Sequence, residues 1–349
     1  MSNLSGRPIL ATASDAGLFV NRVNELRTLK RSVKGRVNVL VLGDRGSGRT
    51  SLLRTASARM AKQGNRTLFV EGPLATNASE FLALLRYRIQ PTREVPPLAA
   101  QLADVSTAAM RTLTSSTTLM ARPPGALGES EQLLEMVRDI ERLLAQRKER
   151  HVVFVDELPS PEVAHVVFGR LRDELWRLPL VWVIAGDIRD RATYLRPPAD
   201  AFFTRIITLG PLPDDEAFAL VRKRIPRTEM SDAMVRSLVK SVGGNPRRLL
   251  TAAADALIEG TPVAALKKRD LERQEILSRL GDSALRLVEE LEAQGPTSAS
   301  DTRLLTKMGW TRGRAAQLLS ALEKEGVVRG TTQRGEGGRR RKVYELVRD

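Results

Sequence analysis

The most chemically pointed residues of the chain fall in one stretch, Gly43-Asp44-Arg45-Gly46-Ser47-Gly48-Arg49-Thr50-Ser51. Gly43 and Gly48 stand in the frame G-x-x-x-x-G-[basic]-[Ser/Thr], the frame of a phosphate-binding P-loop. Glycines let backbone N–H groups turn inward around phosphate oxygens, and a helix beginning there adds the positive end of its dipole. Arg49 stands where that frame carries lysine. It keeps the charge but spreads it over a planar guanidinium, so binding is expected to survive while hydrolysis suffers. Thr50 offers a hydroxyl to Mg²⁺. A second reactive pair, Asp156 and Glu157, ends the apolar run that starts at His151. Asp156 suits a Mg²⁺ ion held through water, and Glu157 suits the polarising of an attacking water.

The flanking residues supply the elements that must hold these groups. Val39 to Leu42 is apolar and β-branched, which predicts a strand entering the loop. A helix is expected from Thr50, with Leu52, Leu53, Ala56 and Met60 on one face. The runs 67–72, 151–157, 180–187 and 202–209 read as further strands. Fully apolar runs such as 152–155 imply strands buried on both faces, as in a parallel sheet. The acids then fall at the carboxyl ends of strands, where open α/β sheets bind ligands. A helix through Leu26, Leu29 and Val33 precedes the loop, with Asn21 or Asn24 as its N-cap. Residues 91–128 loosen into Pro-Pro pairs and a Ser/Thr/Ala stretch, either one mildly amphipathic helix or a mobile insertion.

Composition narrows the classes. The 349 residues allow two or three domains, and there is no cysteine, which removes disulfides, thiolate metal sites and cysteine nucleophiles. That usage suits a reducing cytoplasm, the expected location. The two histidines, His151 and His165, read as structural. The formal charge of +15 favours an anionic partner, nucleic acid first. No apolar stretch reaches the about 20 residues that a membrane span needs, and residues 1–14 lack a signal-peptide pattern and read as a flexible lead-in.

Past Arg224 the strand signals stop, and helices broken at Gly243-Gly244 and Gly260-Thr261-Pro262 suggest a small all-α lid over 225–279. Residues 280–349 suggest a helix, a helix-turn-helix with its longer helix from Thr311, and two strands around a Gly- and Arg-rich loop, 330–341. That order is a winged helix.

Taken together and in order, these motifs resemble AAA+ ATPases of the origin-recognition and initiator type, related to the bacterial STAND-like ATPases. The resemblance implies a P-loop NTPase α/β core with a three-layer parallel sheet over 15–224, followed by the all-α lid and the winged-helix domain. It implies ATP or ADP as ligand with Mg²⁺. It assigns Phe19, Val20 and Arg22 to the adenine side, Gly43 to Ser51 to Walker A, and Asp156 and Glu157 to Walker B. Asp187 falls at the sensor 1 position, Arg205 where an arginine finger acts on a neighbouring subunit, and Arg247 at sensor 2. Asp187 departs from the usual Asn, Ser or Thr, because an ionised carboxylate cannot donate to phosphate. With Arg49, it points to a weak ATPase.

Two functions fit these parts. The first is a nucleotide-controlled protein that binds double-stranded DNA. Thr311, Arg312, Arg314 and Gln317 would lie on the recognition helix, and Arg334, Arg339, Arg340, Arg341 and Lys342 on the wing. The second is a STAND-like switch whose winged helix contacts protein, with a homo-oligomer or protein partner. No guanine-specificity motif is evident, which disfavours a GTPase.

Overall fold

The computed structural model describes residues 4, 6–10, 12, 15, 17–90, 128–147, 150–158, 160–258, 272, 273, 275–334 and 340–347. These form two compact units. One comprises Met1–Thr228 with Gly244–Thr251, and the other Glu229–Gly243 with Ala252–Asp349. The expected insertion, all but Gly128, and Arg339 of the hairpin loop lie outside the described residues.

The first unit is built on five parallel strands, β1 (Val39–Gly43), β2 (Arg66–Glu71), β3 (His151–Asp156), β4 (Leu180–Asp187) and β5 (Arg205–Leu209), in the order β2-β3-β4-β1-β5. β1 is buried throughout, as its continuous apolar run requires. Alternate side chains point to opposite faces, and each face has its own core. Val39, Val41, Val152, Phe154 and Val183 pack with Leu26 and Leu29 of α1 (Val23–Lys34) and with Leu52, Leu53 and Ala56 of α2 (Arg49–Lys62). Leu40, Leu42, Val153, Val155 and Ile184 pack with α3 (Ala78–Ile89) and α4 (Glu129–Arg147). The result is the helix–sheet–helix sandwich of a P-loop NTPase. Register then brings the polar strand ends together. Gly43 pairs with Asp187, Glu71 with Asp156, and Asp156 with Ala185.

Two local expectations change here. The N-cap of α1 is Arg22, in a left-handed conformation (φ 54°), and neither Asn21 nor Asn24 caps the helix. The strand expected from Phe202 starts at Arg205, because Ala199–Phe202 forms a 3₁₀ turn that buries Phe202 beside Phe168 and Trp182. Residues 6–10 are held in place. Arg7 pairs with Asp15 (2.6 and 3.0 Å), Ile9 is buried, and its N–H donates to Ser51 Oγ (3.1 Å). The Arg7 hydrogen bonds, with that from Leu10 N–H, hold the Asp15 carboxyl down at about 2.

After α5 (Asp214–Arg222) come α6 (Asp232–Val242) and α7 (Pro246–Ile258), whose start belongs with the α/β unit. The second unit contains α8 (Asp282–Gln294), α9 (Thr302–Met308) and α10 (Arg312–Lys324), then an antiparallel hairpin of β6 (Val328–Arg334) and β7 (Arg340–Leu346). Leu287, Leu291, Leu304, Leu318, Leu319, Leu322, Val328 and Tyr344 share its core. Thr297 extends the hairpin with a bridge to Tyr344, N···O 2.9 and 2.7 Å. The ladder runs further than the sequence suggests, pairing Arg334 with Arg340, so most of the expected loop over 330–341 is strand. Backbone pairing decides this, since Arg329 to Arg334 has no apolar alternation to reveal it.

Candidate nucleotide site

At the end of β1 the chain turns through Gly43–Gly48 and enters α2. Gly46 (φ +80°) and Gly48 (φ +94°) take left-handed conformations that disfavour a side chain. At Gly46 there is also no room: an added Cβ would lie 2.7 Å from Arg247 Cβ and from Asn245 Oδ1. Asn245 Nδ2 donates to Arg45 O (2.9 Å), while its Oδ1 accepts the N–H groups of Arg247 and Arg248 at the start of α7. Arg247 N–H also reaches Gly46 O (3.3 Å). The expected sensor 2 residue therefore sits against the loop, and Asn245 is the tie that positions it.

The two expected metal ligands meet directly. Thr50 Oγ1 donates to Asp156 Oδ1 at 3.0 Å. Burial pushes the Asp156 carboxyl up to about 6. The charge of Glu157 pushes the same way, against the Thr50 hydrogen bond and the charges of Arg49 and Arg54. Such a carboxylate gains from a cation. Among the described residues no cluster of three or more His, Asp or Glu could hold a metal alone, so a cation here would draw its other ligands from phosphate oxygens and water.

Arg49 faces Glu157, Nη2 to Oε1 3.4 Å, with the Arg49 side chain 10% exposed. Arg49 Nη1 and Ser47 Oγ are buried without a hydrogen-bond partner. These are donors that an anion would satisfy. Glu157 has φ 63°, and its carbonyl lies so close over Gly72 that a Cβ there would come within 1.7 Å of it. Gly72, which follows β2, is thus required for the backbone that aims Glu157. The sequence places it last in the strand expected over 67–72, which instead ends at Glu71.

Asp187 ends β4 beside Gly43 and is committed to Arg189. The guanidinium takes both carboxylate oxygens (2.9 and 2.8 Å), and Arg189 N–H adds a third bond at 3.0 Å. Burial raises its pKa, but the Arg189 bonds and charge, with that of Arg49, outweigh it and bring the group down to about 2. Asp187 stays ionised with an arginine neutralising it. On β2, Glu71 ion-pairs with Arg54 of α2 (3.0 Å) and Arg88 of α3 (3.6 Å). The same rule that picks out Asp156, an apolar strand ending in an acid, could have found it.

The adenine-side residues are held from two directions. Arg22 Nη2 donates to Ser47 O (3.3 Å) and Gly210 O (2.6 Å), while Nη1 pairs with Glu25. Arg22 ties the loop to the segment after β5. Phe19 packs on the α1–α2 core, its carbonyl accepting from Lys223 Nζ (3.0 Å), and Val20 follows half-buried. Ser51 accepts from Ile9 N–H, and Asp44 is exposed. Arg205 is not brought in. It starts β5 in register with Val39, at the opposite end of the sheet, and is exposed.

In the second unit, Thr311 caps α10 by accepting from Arg314 N–H (3.3 Å), and Arg312, Arg314 and Gln317 are exposed. Arg341 is engaged with Ser298 Oγ and with Asp301 (3.6 Å), and Lys342 with Glu323 (2.7 Å). Two of the expected wing cations thus have partners within the unit.

Residues 19–183 match the family model described as AAA ATPase domain. The fold as a whole is similar to that of the Orc1 protein of Aeropyrum pernix, solved in complex with DNA. The match has TM-score 0.50 and 15% identity, and covers 96% of this chain and 92% of that one. A Walker-type ATPase of Pyrococcus abyssi matches with TM-score 0.50 and 14% identity, over 98% and 96% of the two chains. A protein of Methanocaldococcus jannaschii, described as an uncharacterised HTH-type transcriptional regulator, is 22% identical over 338 residues, 90% of this chain and 80% of that one. The expected AAA+ ATPase core is thus matched by the domain model, and the expected initiator-type architecture by the shared fold. No helix among the described residues is long and apolar enough to cross a membrane.

Proposed function

We propose that this protein binds ATP with Mg²⁺, hydrolyses it weakly, and uses the nucleotide state to control its binding of double-stranded DNA. The observation that carries the nucleotide half is the meeting of Thr50 with Asp156 beside a glycine-rich loop whose Arg49 and Ser47 hold buried, unsatisfied donors. Those residues fit a Mg²⁺–nucleotide. Thr50 and Asp156 would hold the ion, which supplies neutralising charge to the terminal phosphates. Backbone N–H groups of residues 44–50 and Arg49 would hold phosphate oxygens, and Glu157 would orient the attacking water. Arg247, at sensor 2 on the proposed lid (225–279), reports the nucleotide. Arg205 serves a neighbouring copy if the protein assembles.

The DNA half rests on the second unit, which we read as a winged helix over 280–349. Exposed Arg312, Arg314 and Gln317 begin its α10, the Orc1 structure was solved in complex with DNA, and the Methanocaldococcus relative is described as an HTH-type transcriptional regulator. A test is anisotropy titration of duplexes at several salt concentrations. Arg314→Ala is expected to cost about 1–3 kcal/mol and to relax sequence preference. Replacing Arg339, Arg340 and Arg341 with Ala should weaken all duplexes alike, with the salt slope falling by roughly 0.9 for each phosphate no longer neutralised. The engagement of Arg341 and Lys342 by Asp301 and Glu323 favours a second reading, a STAND-like switch with a protein partner. Absence of salt-sensitive duplex binding in the wild type would select it.

A further inference from the structure

The positive charge of this chain is not concentrated in the C-terminal hairpin. Between Arg22 and Arg66 stand twelve Arg or Lys and two acids, Glu25 and Asp44, a net excess of ten in a chain of formal charge +15. Arg22, Arg45, Arg49 and Arg54 belong to the nucleotide site or its surroundings. Arg27, Lys30, Arg31 and Lys34 do not. They recur on α1 at i, i+3, i+4 and i+7, the spacing of one helix face, and all four are exposed, while the other side of α1 buries Leu26, Leu29 and Ser32. The stripe is about 10 Å long at the helical rise. Among the described residues none of the four has a carboxylate partner, and Arg27 Nη1 donates to the Asn24 side chain (3.1 Å). Arg59 and Lys62 at the end of α2 add two more exposed cations in the same helical layer. Like charges at i, i+4, as in Arg27–Arg31 and Lys30–Lys34, destabilise an isolated helix. Arg31 and Lys34 lie in the last turn, where the helix dipole favours cations, but Arg27 and Lys30 do not, so stability of α1 does not explain the stripe as a whole.

We propose that the α1 stripe is a second DNA contact, a seat for the phosphate backbone of a duplex that is indifferent to base sequence. It extends the DNA-binding reading of the C-terminal unit to a surface which that reading does not use. Duplex DNA presents a charge every ~1.7 Å of axis, so a rigid 10 Å row of cations faces a dense run of phosphates. The stripe has no aromatic side chain on which single-stranded bases would stack. It also lacks the apolar anchors of a membrane-surface helix or of a protein interface core. The large exposed hydrophobe of α1, Val23, precedes it at the first helical position.

The test uses the full chain, two duplexes of unrelated sequence and several salt concentrations. In one variant Arg27, Lys30, Arg31 and Lys34 become Ala, a strong helix former. A second, Arg31→Glu with Lys34→Glu, reverses half of the stripe's charge and sets i, i+4 pairs with Arg27 and Lys30 against the unfavourable placing of acids in the last turn. Both should bind the two duplexes more weakly by the same factor. The salt slope of the Ala variant should shrink by up to about 3.6, at roughly 0.9 for each phosphate released, with ATP affinity and melting temperature kept. Arg312→Ala with Arg314→Ala should instead lose sequence preference and keep salt-sensitive binding. Unchanged affinity and slope in both stripe variants overturn the proposal and leave the winged-helix reading standing. Salt-sensitive binding that disappears with the stripe, in a wild type showing no sequence preference, supports the stripe and sinks the winged-helix reading. Stripe variants that lose only their binding to phosphatidylserine vesicles, with duplex binding intact, assign the surface to lipid and overturn it.

Discussion

Arg49→Lys is expected to raise ATP turnover by roughly ten- to hundredfold, measured as steady-state phosphate release at saturating Mg²⁺-ATP. Two effects of the arginine are removed together. Its guanidinium holds Glu157 at 3.4 Å, so the carboxylate proposed to orient water is occupied by a cation. Its planar fork also replaces the compact ammonium that suits a tight phosphate pocket. A lysine keeps the charge and releases Glu157. Arg49→Ala separates the two, since it frees Glu157 but removes the phosphate ligand, and should lose ATP affinity. A wild type that turns over ATP at ordinary rates, with a lysine variant no faster, would show that Arg49 is not the brake.

Glu157→Gln should lower the residual hydrolysis by about a hundredfold or more while leaving ATP affinity within a few-fold of wild type. Asp156→Asn should act differently, weakening Mg²⁺-dependent nucleotide binding by at least about tenfold, because Asp156 is the partner of Thr50. Binding by fluorescent-nucleotide titration and turnover on the same preparations distinguish the two acids. Undiminished hydrolysis in the Gln variant would move the water-orienting role to another residue.

What sequence reveals here is whatever local pattern encodes. Continuous apolar runs mark the buried strands of the central sheet, and the acids ending 151–157 can be placed beside the loop because parallel strands gather their carboxyl ends. The meeting of Thr50 and Asp156, 106 residues apart, follows from that alone. Ties made by backbone atoms are invisible. Arg22 reaches the carbonyls of Ser47 and Gly210, so its tie across 188 residues has no side-chain signature. Gly72 is dictated by the carbonyl of Glu157 above it, and residues 6–10 are held through an N–H and an ion pair in a stretch with no periodicity. The length of the hairpin is hidden because Gly-Thr-Thr-Gln-Arg pairs through its backbone while its side chains look like a loop. That Asp187 cannot donate is legible, but the arginine two residues on that neutralises it is not.

The central claim is that nucleotide state sets DNA affinity, and one titration tests it most directly. The same purified protein is titrated with a fluorescent duplex under Mg²⁺-ATP, under Mg²⁺-ADP and without nucleotide, at one fixed salt concentration. The account predicts that the dissociation constant with ATP differs from the nucleotide-free value by about five- to 150-fold, the span of a coupling of 1–3 kcal/mol. Equal dissociation constants in all three states, with ATP shown to be bound, would contradict it.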